Sequence, residues 1–195
     1  MSWDESLFRA INAFAGTSDA LDWLALTLSN SSMLWGPGIL LACYWVWLSW
    51  REALIAAPLL AVVIGILDFA GARIKDLVAR PRPCMALPDL YQLQGCGKTF
   101  GFPSNHAVNT AAAAAFLQVL YPRSGWISWP ITLLIGLSRV YIGAHYVTDV
   151  VGGWVLGGVF GAGAAWLLLR WPRFGRNRSM SGGFQSAQAT AKISN

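Results

Sequence analysis

Five long apolar segments, separated by short polar joints, dominate the chain. They lie at 33–50, 53–74, 105–121, 126–143 and 147–169. Most approach or reach the ~20 residues that an α-helix needs to cross the hydrocarbon core of a bilayer. Because unpaired backbone groups are costly in hydrocarbon, segments of this length are expected to be helical. The pattern therefore predicts an all-α integral membrane protein with a bundle of five transmembrane helices. A soluble helix is the alternative for the third segment.

The two ends of the chain follow different patterns. Residues 3–15 place apolar side chains at helical spacing among charged ones, which predicts an amphipathic helix lying along the membrane interface. This segment has no basic start and no small-residue cleavage site, so a removable signal peptide is not expected. Residues 171–195 are rich in Ser, Arg, Gly, Gln and Ala without apolar periodicity, which predicts a disordered tail. The apolar positions of the first segment are Trp3, Leu7, Phe8, Ile11 and Phe14.

The composition supports a membrane location. The chain has 195 residues, of which 55% are apolar and 12% are charged, and it contains 11 tryptophans. A soluble domain usually carries about twice that charged fraction, so these charges are too few to cover a water-facing surface. The length allows one domain, which we place at 1–170.

The net charge of +5 is arranged as expected for a membrane protein rather than for a nucleic-acid-binding protein. With five spans, the joints alternate between two sides, and short basic joints with a basic tail mark the cytoplasmic side. The basic residues of that side are Arg51, Arg123, Arg170, Arg173, Arg176, Arg178 and Lys192. Six further cations gather at or near the opposite face, where a bound anion would explain them. They are Arg73, Lys75, Arg80, Arg82, Lys98 and Arg139.

Three polar stretches lie where predicted membrane helices end or begin. The segment 75–83 follows the second span, 102–106 opens the third, and 138–149 crosses the joint between the fourth and fifth. The order of the spans brings all three stretches to the same membrane face. Both histidines of the chain, His106 and His145, lie at this face, which indicates that it holds the candidate site.

A helix start and three cations at this face suit a phosphoryl group. Ser104 can cap the third span, and the free backbone N–H groups of Asn105 and His106 point outward with the positive end of the helix. Cationic side chains can bind the non-bridging oxygens and stabilise their charge as phosphorus is attacked. The expected phosphate-binding cations are Lys75, Arg82 and Arg139.

His145 and Asp149 are the residues expected to perform the chemistry. They stand four apart on the fifth span and therefore share a helix face. The carboxylate can hold the imidazole in one tautomer, which leaves the other ring nitrogen free to attack. His106 would then protonate the leaving oxygen as general acid. The same spacing suits two metal ligands, but the surrounding cations would repel a divalent metal, so no metal site is expected.

Other polar and small residues have structural interpretations. Arg80 is expected to reach toward lipid headgroups at the interface. Asp68 lies inside the second span, where an unpaired carboxylate is expensive, so we expect it to pair with Arg73 or Arg139. Small residues at spacing four give the fifth span a face for close helix packing. They are Gly153, Gly157, Gly161 and Ala165.

The cysteines are consistent with a non-cytoplasmic location for the long loop at 76–104. Cys84 and Cys96 both lie in this loop, and in an oxidising compartment they can form a disulfide that clamps it. Two free thiols are the alternative. With no nearby histidine, the two cysteines make a poor zinc site.

Together, the three polar stretches resemble the tripartite signature of the type 2 phosphatidic acid phosphatase superfamily, which includes bacterial undecaprenyl-pyrophosphate phosphatases. The family pattern Lys-x6-Arg-Pro matches Lys75, Arg82 and Pro83. The pattern Pro-Ser-Gly-His matches Pro103, Ser104 and His106, with Asn105 in place of the glycine. The pattern Ser-Arg-x5-His-x3-Asp matches Ser138, Arg139, His145 and Asp149.

The resemblance implies a reaction that needs neither a metal nor another cofactor. It makes His145 the nucleophile that forms a phosphohistidine, which water then hydrolyses, and it makes His106 the general acid. The side chain of Asn105 is expected to narrow the phosphate pocket or to contact a second phosphate, so it bears on substrate preference. The phosphate-binding residues implied by the resemblance are Lys75, Arg82, Ser104 and Arg139.

The implied function is hydrolysis of a membrane lipid phosphate or pyrophosphate, with undecaprenyl pyrophosphate as the leading substrate. The alternatives are a phosphatase of phosphatidylglycerol phosphate, phosphatidic acid or lipid A, a lipid phosphotransferase, and a non-enzymatic anion transporter or lipid-binding module. The expected partners are the lipid substrate and the bilayer, with no nucleic acid. Some relatives have six spans, so six is the alternative to five for this chain. The expected location is the bacterial inner membrane, with the active site facing the periplasm or the cell exterior and the tail in the cytoplasm.

Overall fold

All the regular secondary structure of the described residues is helical. The computed structural model describes residues 2–172 and 174, apart from the side chains of 33–35 and 37, and no strand occurs among these residues. Most of the predicted tail at 171–195 therefore lies outside the described residues. The α-helices are α1 (Trp3–Asn12), α2 (Asp19–Ser29), α3 (Ser31–Val78), α4 (Pro83–Ala86), α5 (Asn105–Leu120), α6 (Gly125–Tyr141) and α7 (Val147–Arg170), with a 3₁₀ turn at Pro122–Ser124.

The N-terminal region contains one predicted helix and one unexpected helix. Helix α1 begins after Ser2, whose hydroxyl accepts a hydrogen bond from the Glu5 N–H at 3.2 Å, as in an N-terminal cap. Helix α2 has 11 residues, too few to cross a bilayer, so the pattern of long apolar segments does not predict it.

A break in helix α3 divides it into two helical arms. The break lies at Ser49, whose backbone angles are φ −150° and ψ 58°. Trp45, before the break, donates from its indole nitrogen to the Tyr121 hydroxyl at 2.9 Å. That hydroxyl donates to the carboxylate of Glu52, after the break, at 2.6 Å. The two arms therefore come together beside Tyr121.

The opposite ends of both arms lie near the polar stretches. The first arm follows Ser29, whose carbonyl accepts a hydrogen bond from Arg139 at 3.0 Å. The second arm carries Lys75, whose ammonium group donates to the carbonyl of Pro103. The chain thus runs from the polar end of the bundle to the Tyr121 end and back.

Two stretches of the described chain are long and apolar enough to cross a membrane. They are Gly38–Ala86, which includes most of α3, and Val147–Arg170. Helices α5 and α6 have 16 and 17 residues, or about 24–26 Å of helix. The all-helical architecture is confirmed in the described residues, and five membrane crossings remain a prediction.

Helices α5 and α7 pack with their backbones in close contact. The residues predicted to form the packing face, Gly153, Gly157, Gly161 and Ala165, are all buried. A Cβ atom at Gly157 would lie 2.0 Å from the carbonyl oxygen of Val108, and one at Gly161 would lie 2.2 Å from that of Ala112. Only glycine fits at these two positions, so this face holds the starts of α5 and α7 side by side.

A disulfide closes part of the segment between α3 and α5. Cys84 and Cys96 are bonded, with their Cα atoms 5.8 Å apart. The ring of residues between them belongs to the long loop expected at 76–104, although this loop also contains the short helix α4. The third cysteine, Cys43, lies exposed on the first arm of α3.

Replacing Gly157 with alanine is expected to lower the midpoint of thermal unfolding of the purified protein in detergent. The added methyl group would force α5 and α7 apart, and overpacking of this kind costs about 1–3 kcal/mol. Gly163→Ala is the matched control, because no atom lies within 4 Å of a Cβ there and alanine is favoured over glycine inside a helix. Equal midpoints for the two variants would contradict the close packing.

Candidate active site

The three polar stretches meet at one end of the bundle, where they bury several charged groups. Buried ionised side chains are stable only when other groups compensate their charge or bind them. Each of these residues has a relative exposure of 8% or less: Lys75, Arg82, Ser104, Arg139, His145 and Asp149.

The end of helix α3 positions the first cation. Ala79 adopts a left-handed conformation (φ 48°), and its N–H donates to the Lys75 carbonyl at 2.8 Å, which is a common way to end a helix. Pro81 and Pro83 follow, so the helix cannot continue. The ammonium group of Lys75 donates to the carbonyl of Pro103, directly before α5.

Arg82 is held by the loop and approaches the imidazole of His145. Its Nε donates to the Thr99 carbonyl at 2.6 Å, and its Nη2 donates to the Thr99 hydroxyl at 3.0 Å. Its Nη1 lies 3.4 Å from Nε2 of His145. Because a guanidinium only donates, Nε2 is the acceptor in this contact and is therefore the unprotonated ring nitrogen.

Ser104 stands at the start of α5, as expected, but its hydroxyl does not cap the helix. The Ser104 N–H instead donates to the Asp149 carbonyl at 3.0 Å, which links the starts of α5 and α7. The hydroxyl oxygen is fully buried and has no hydrogen-bond partner among the described residues. It is therefore available to a ligand, next to the first N–H groups of α5.

The side chain of Asn105 contacts helix α3, and the roles expected for it toward the substrate remain predictions. Its amide nitrogen donates to Asp68 at 3.1 Å, and Asn109 donates to the same carboxylate oxygen at 3.0 Å. The expectation that Asp68 pairs with Arg73 or Arg139 is therefore wrong. Two neutral amides from α5 satisfy this carboxylate, and Asn105 joins α5 to α3.

Arg139 lies at the end of α6, and the turn after it presents His145. Its Nη1 donates to the Ser29 carbonyl at 3.0 Å. The N–H groups of Ala144 and His145 both donate to the Arg139 carbonyl, at 3.1 and 3.2 Å. Gly143 has a φ of +84°, which favours glycine and reverses the chain at this point.

His145 and Asp149 are close together, although not for the expected reason. His145 precedes α7 and does not lie on its face. Asp149 folds back over the start of the helix, where one carboxylate oxygen accepts from the Tyr146 N–H at 3.0 Å. The same oxygen lies 3.5 Å from Nδ1 of His145, a distance too long for a strong hydrogen bond but suited to orient the ring.

The environment of His145 keeps its imidazole neutral. Burial lowers the pKa of His145 to about 4, assisted by the positive charges of Arg82 and Arg139 and opposed by Asp149. The imidazole is therefore unprotonated at neutral pH, which is the form that a nucleophile requires.

Several buried polar atoms at this end have no hydrogen-bond partner among the described residues. Within the described residues, no hydrogen bond reaches Ser104 Oγ, His106 Nε2 or Arg139 Nε. Most buried polar atoms in proteins are hydrogen-bonded, so three such atoms in one place indicate a ligand. The excess of cations over carboxylates indicates an anion with several acceptor oxygens, as a phosphoryl group has.

Four contributors to the site were not expected from the sequence. The carbonyls of Ser29 and Thr99 accept hydrogen bonds from Arg139 and Arg82. Every residue has a backbone carbonyl, so the sequence does not indicate which of them will bind an arginine. Arg80, which the sequence predicts to lie at lipid headgroups, donates to Asp149 at 2.7 Å and to Asp4 at 2.5 Å. The signal for Asp4 was its spacing of four from the buried Phe8, which places both on one face of α1.

Known proteins are similar to this chain in sequence and in fold. A family model described as the PAP2 superfamily matches residues 52–173. Undecaprenyl-diphosphatase BcrC of Bacillus subtilis is 30% identical over 162 residues, covering 80% of this chain and 79% of the relative. Lipid A 4'-phosphatase of Bacteroides thetaiotaomicron is 36% identical over 121 residues, covering 57% of this chain and 53% of the relative. The chain spans about half the length of several relatives that it matches.

A solved structure is similar over most of the chain. It is the crystal structure of a transmembrane PAP2-type phosphatidylglycerolphosphate phosphatase from Bacillus subtilis, with a TM-score of 0.68 and 26% identity. The similarity covers 88% of this chain and 87% of that one. The family model, the relatives and the shared fold agree, and the chain belongs to the PAP2 superfamily.

Proposed function

We propose that this protein hydrolyses a lipid phosphate or pyrophosphate at the membrane surface through a phosphohistidine, with undecaprenyl pyrophosphate as the leading substrate. The observation that carries the proposal is the group of buried cations and unpartnered donors around a neutral imidazole. Such a group suits a phosphoryl anion and a nucleophile directed at its phosphorus.

Binding of the phosphoryl group uses donors from three directions. The Ser104 hydroxyl and the N–H groups at the start of α5 bind oxygens at the positive end of the helix. The cations neutralise the oxygens and hold phosphorus near the imidazole. Their existing carbonyl partners leave donor groups available, such as Arg139 Nε. The proposed cations are Lys75, Arg82 and Arg139.

In the first step, Nε2 of His145 attacks phosphorus and the bond from phosphorus to the leaving oxygen breaks. The proton on Nδ1 faces Asp149, whose charge stabilises the ring as it becomes cationic. His106 donates a proton to the leaving oxygen. The products are phosphohistidine and a lipid that has lost one phosphoryl group.

In the second step, water attacks the phosphohistidine and the bond from phosphorus to Nε2 breaks. His106, which has lost its proton, accepts one from the water. Inorganic phosphate leaves, and both histidines return to their initial protonation states. A lipid phosphotransferase would follow the same course with a lipid hydroxyl in place of water.

The choice of undecaprenyl pyrophosphate rests on similarity. The relative named undecaprenyl-diphosphatase BcrC matches four-fifths of this chain. The similar solved structure is named as a phosphatidylglycerolphosphate phosphatase, which favours that phospholipid as the second candidate. Phosphatidic acid and lipid A are further candidates with the same reacting group, because the roles proposed for the described site residues concern the phosphate rather than the rest of a lipid.

The proposed setting is a bacterial inner membrane, spanned five times by one domain, with the site facing the periplasm or cell exterior. Exposed tryptophans occur at both ends of the bundle, as in membrane proteins, including Trp3 near the site and Trp126 at the Tyr121 end. Arg51 and Arg123 lie beside the contacts of Tyr121, and basic joints favour the cytoplasmic side.

His145→Ala is expected to abolish phosphate release, because it removes the proposed nucleophile. Loss of a covalent catalyst lowers turnover by about 10⁴-fold or more. The measurement is phosphate release from a panel of purified lipid phosphates in detergent, with substrate binding followed separately. Lys98→Ala, which changes an exposed residue of the outer loop, is the control. Turnover by His145→Ala near the wild-type rate would exclude the phosphohistidine mechanism.

Chelation of metals is expected to leave the activity unchanged. The proposed charge compensation comes from Lys75, Arg82 and Arg139, so a divalent ion has no role in it. Phosphate release should be measured before and after treatment with EDTA. Activity that is lost on chelation and restored by a divalent cation would show that the reaction depends on a metal.

The proposed orientation predicts which cysteines can be labelled from outside intact cells. In a Cys43→Ser background, Ala20→Cys lies near the site end and should react with a membrane-impermeant maleimide. Arg123→Cys, at the opposite end, should react only after the membrane is permeabilised. The reverse pattern would place the active site in the cytoplasm.

A further inference from the structure

Arg80 connects the first helix of the protein to the carboxylate beside His145. Its Nη1 donates to Asp149 Oδ1 at 2.7 Å and to the Thr148 hydroxyl at 2.5 Å. Its Nη2 donates to Asp4 Oδ2 at 2.5 Å. The guanidinium also lies 4.3 Å from the ring centre of Tyr146, which adds a cation–π contact. Arg80 is thus fixed by residues on two sides.

Asp4 is tied to the start of α7 as well as to Arg80. Its carboxylate accepts from the Thr148 N–H at 3.1 Å and from the Thr148 hydroxyl at 2.5 Å. Burial alone would raise the pKa of Asp4, but the hydrogen bonds from Thr148 and Arg80 outweigh burial and hold it below its ordinary value. Asp4 is therefore ionised at neutral pH, and its charge lies at the positive end of α7.

Helix α1 packs against the segment between α6 and α7, which carries His145. Its buried residues Asp4, Phe8 and Asn12 are spaced four apart along one face. Phe8 packs edge-on against Tyr146, with ring centres 5.6 Å apart. Asn12 donates to the carbonyl of Tyr141 at 2.8 Å. The buried stripe of α1 therefore faces protein, while Trp3 remains exposed.

We propose that Asp4 and Arg80 form a positioning pair that sets the direction of the Asp149 carboxylate for catalysis. Arg80 occupies one carboxylate oxygen and thereby leaves the other for the Tyr146 N–H and the His145 ring. Asp4 fixes the far side of the guanidinium. The inference rests on the proposed function, because it assigns these residues to the same site.

The pair acts on the nucleophile rather than on substrate binding. Both terminal nitrogens of Arg80 are engaged with Asp4, Thr148 and Asp149. The carboxylate of Asp4 would repel a phosphate. Loss of either residue is therefore expected to change turnover while KM stays nearly constant. A headgroup-binding Arg80, as the sequence suggested, would instead change KM.

The main test compares Arg80→Gln with Asp4→Asn and the double variant, using phosphate release from a lipid phosphate that the wild type hydrolyses. Arg80→Gln is expected to lower kcat by about ten- to a hundredfold, the effect of a small misplacement of a reacting group. KM should change by less than about twofold, and the loss of kcat in the double variant should be smaller than the product of the two single losses, because Asp4 and Arg80 act on the same carboxylate.

Two matched controls remove neighbouring charges that lie outside the pair. Glu5→Gln removes the acid next to Asp4, which pairs with Arg9 at 3.0 Å on the same helix. Arg73→Gln removes an arginine near the end of α3 that stacks on Phe69. Both are expected to keep the wild-type kcat. A loss in Glu5→Gln equal to that in Asp4→Asn would overturn the assignment to Asp4.

Failure of the pair is distinguishable from failure of the proposed function. An unchanged kcat or an increased KM in an active Arg80→Gln protein would overturn the pair alone. A wild-type protein that releases no phosphate would overturn the function. In that case thermal unfolding tests the coupling: the double variant should lose less stability than the sum of the two single losses. Strictly additive losses of stability would show that Asp4 and Arg80 do not act together.

Discussion

The structure depends on the burial of three cations without three matching carboxylates. Lys75, Arg82 and Arg139 are each held by a backbone carbonyl, from Pro103, Thr99 and Ser29 respectively. A carbonyl dipole orients a cation without cancelling its charge, whereas a carboxylate would neutralise it. The positive field therefore persists at the end of the bundle and is available to an anion. Because these carbonyls come from three separate segments, the site requires the complete fold.

The helix packing is what brings these segments together. The glycines of α7 allow its backbone to touch α5, and the Ser104 N–H bonds the Asp149 carbonyl at the head of the pair. The distance between the N–H groups at the start of α5 and the imidazole of His145 before α7 is thereby fixed. The reversal of α3 at Ser49 returns the chain to this end, where Lys75 completes the group.

The sequence predicted the features that depend on spacing along one chain segment. Apolar length revealed the arms of α3, and the glycines at spacing four revealed the α7 face. Contacts between segments were harder to predict. Asp68 has two cations as plausible partners, yet neutral Asn105 and Asn109 satisfy it. His145 and Asp149 were expected on one helix face, but a turn and a folded-back side chain bring them together. Pairing across the bundle depends on helix rotation, which periodicity does not specify.

The disulfide between Cys84 and Cys96 makes the loop around Arg82 sensitive to its chemical surroundings. Arg82 lies two residues before one cysteine, and its partner Thr99 lies three residues after the other. The disulfide therefore links the chain segment that carries Arg82 to the segment that carries Thr99. A newly made molecule that has not met an oxidant lacks this link. How rigidly the Arg82 guanidinium is held therefore depends on whether this disulfide has formed after synthesis, as well as on the amino-acid sequence.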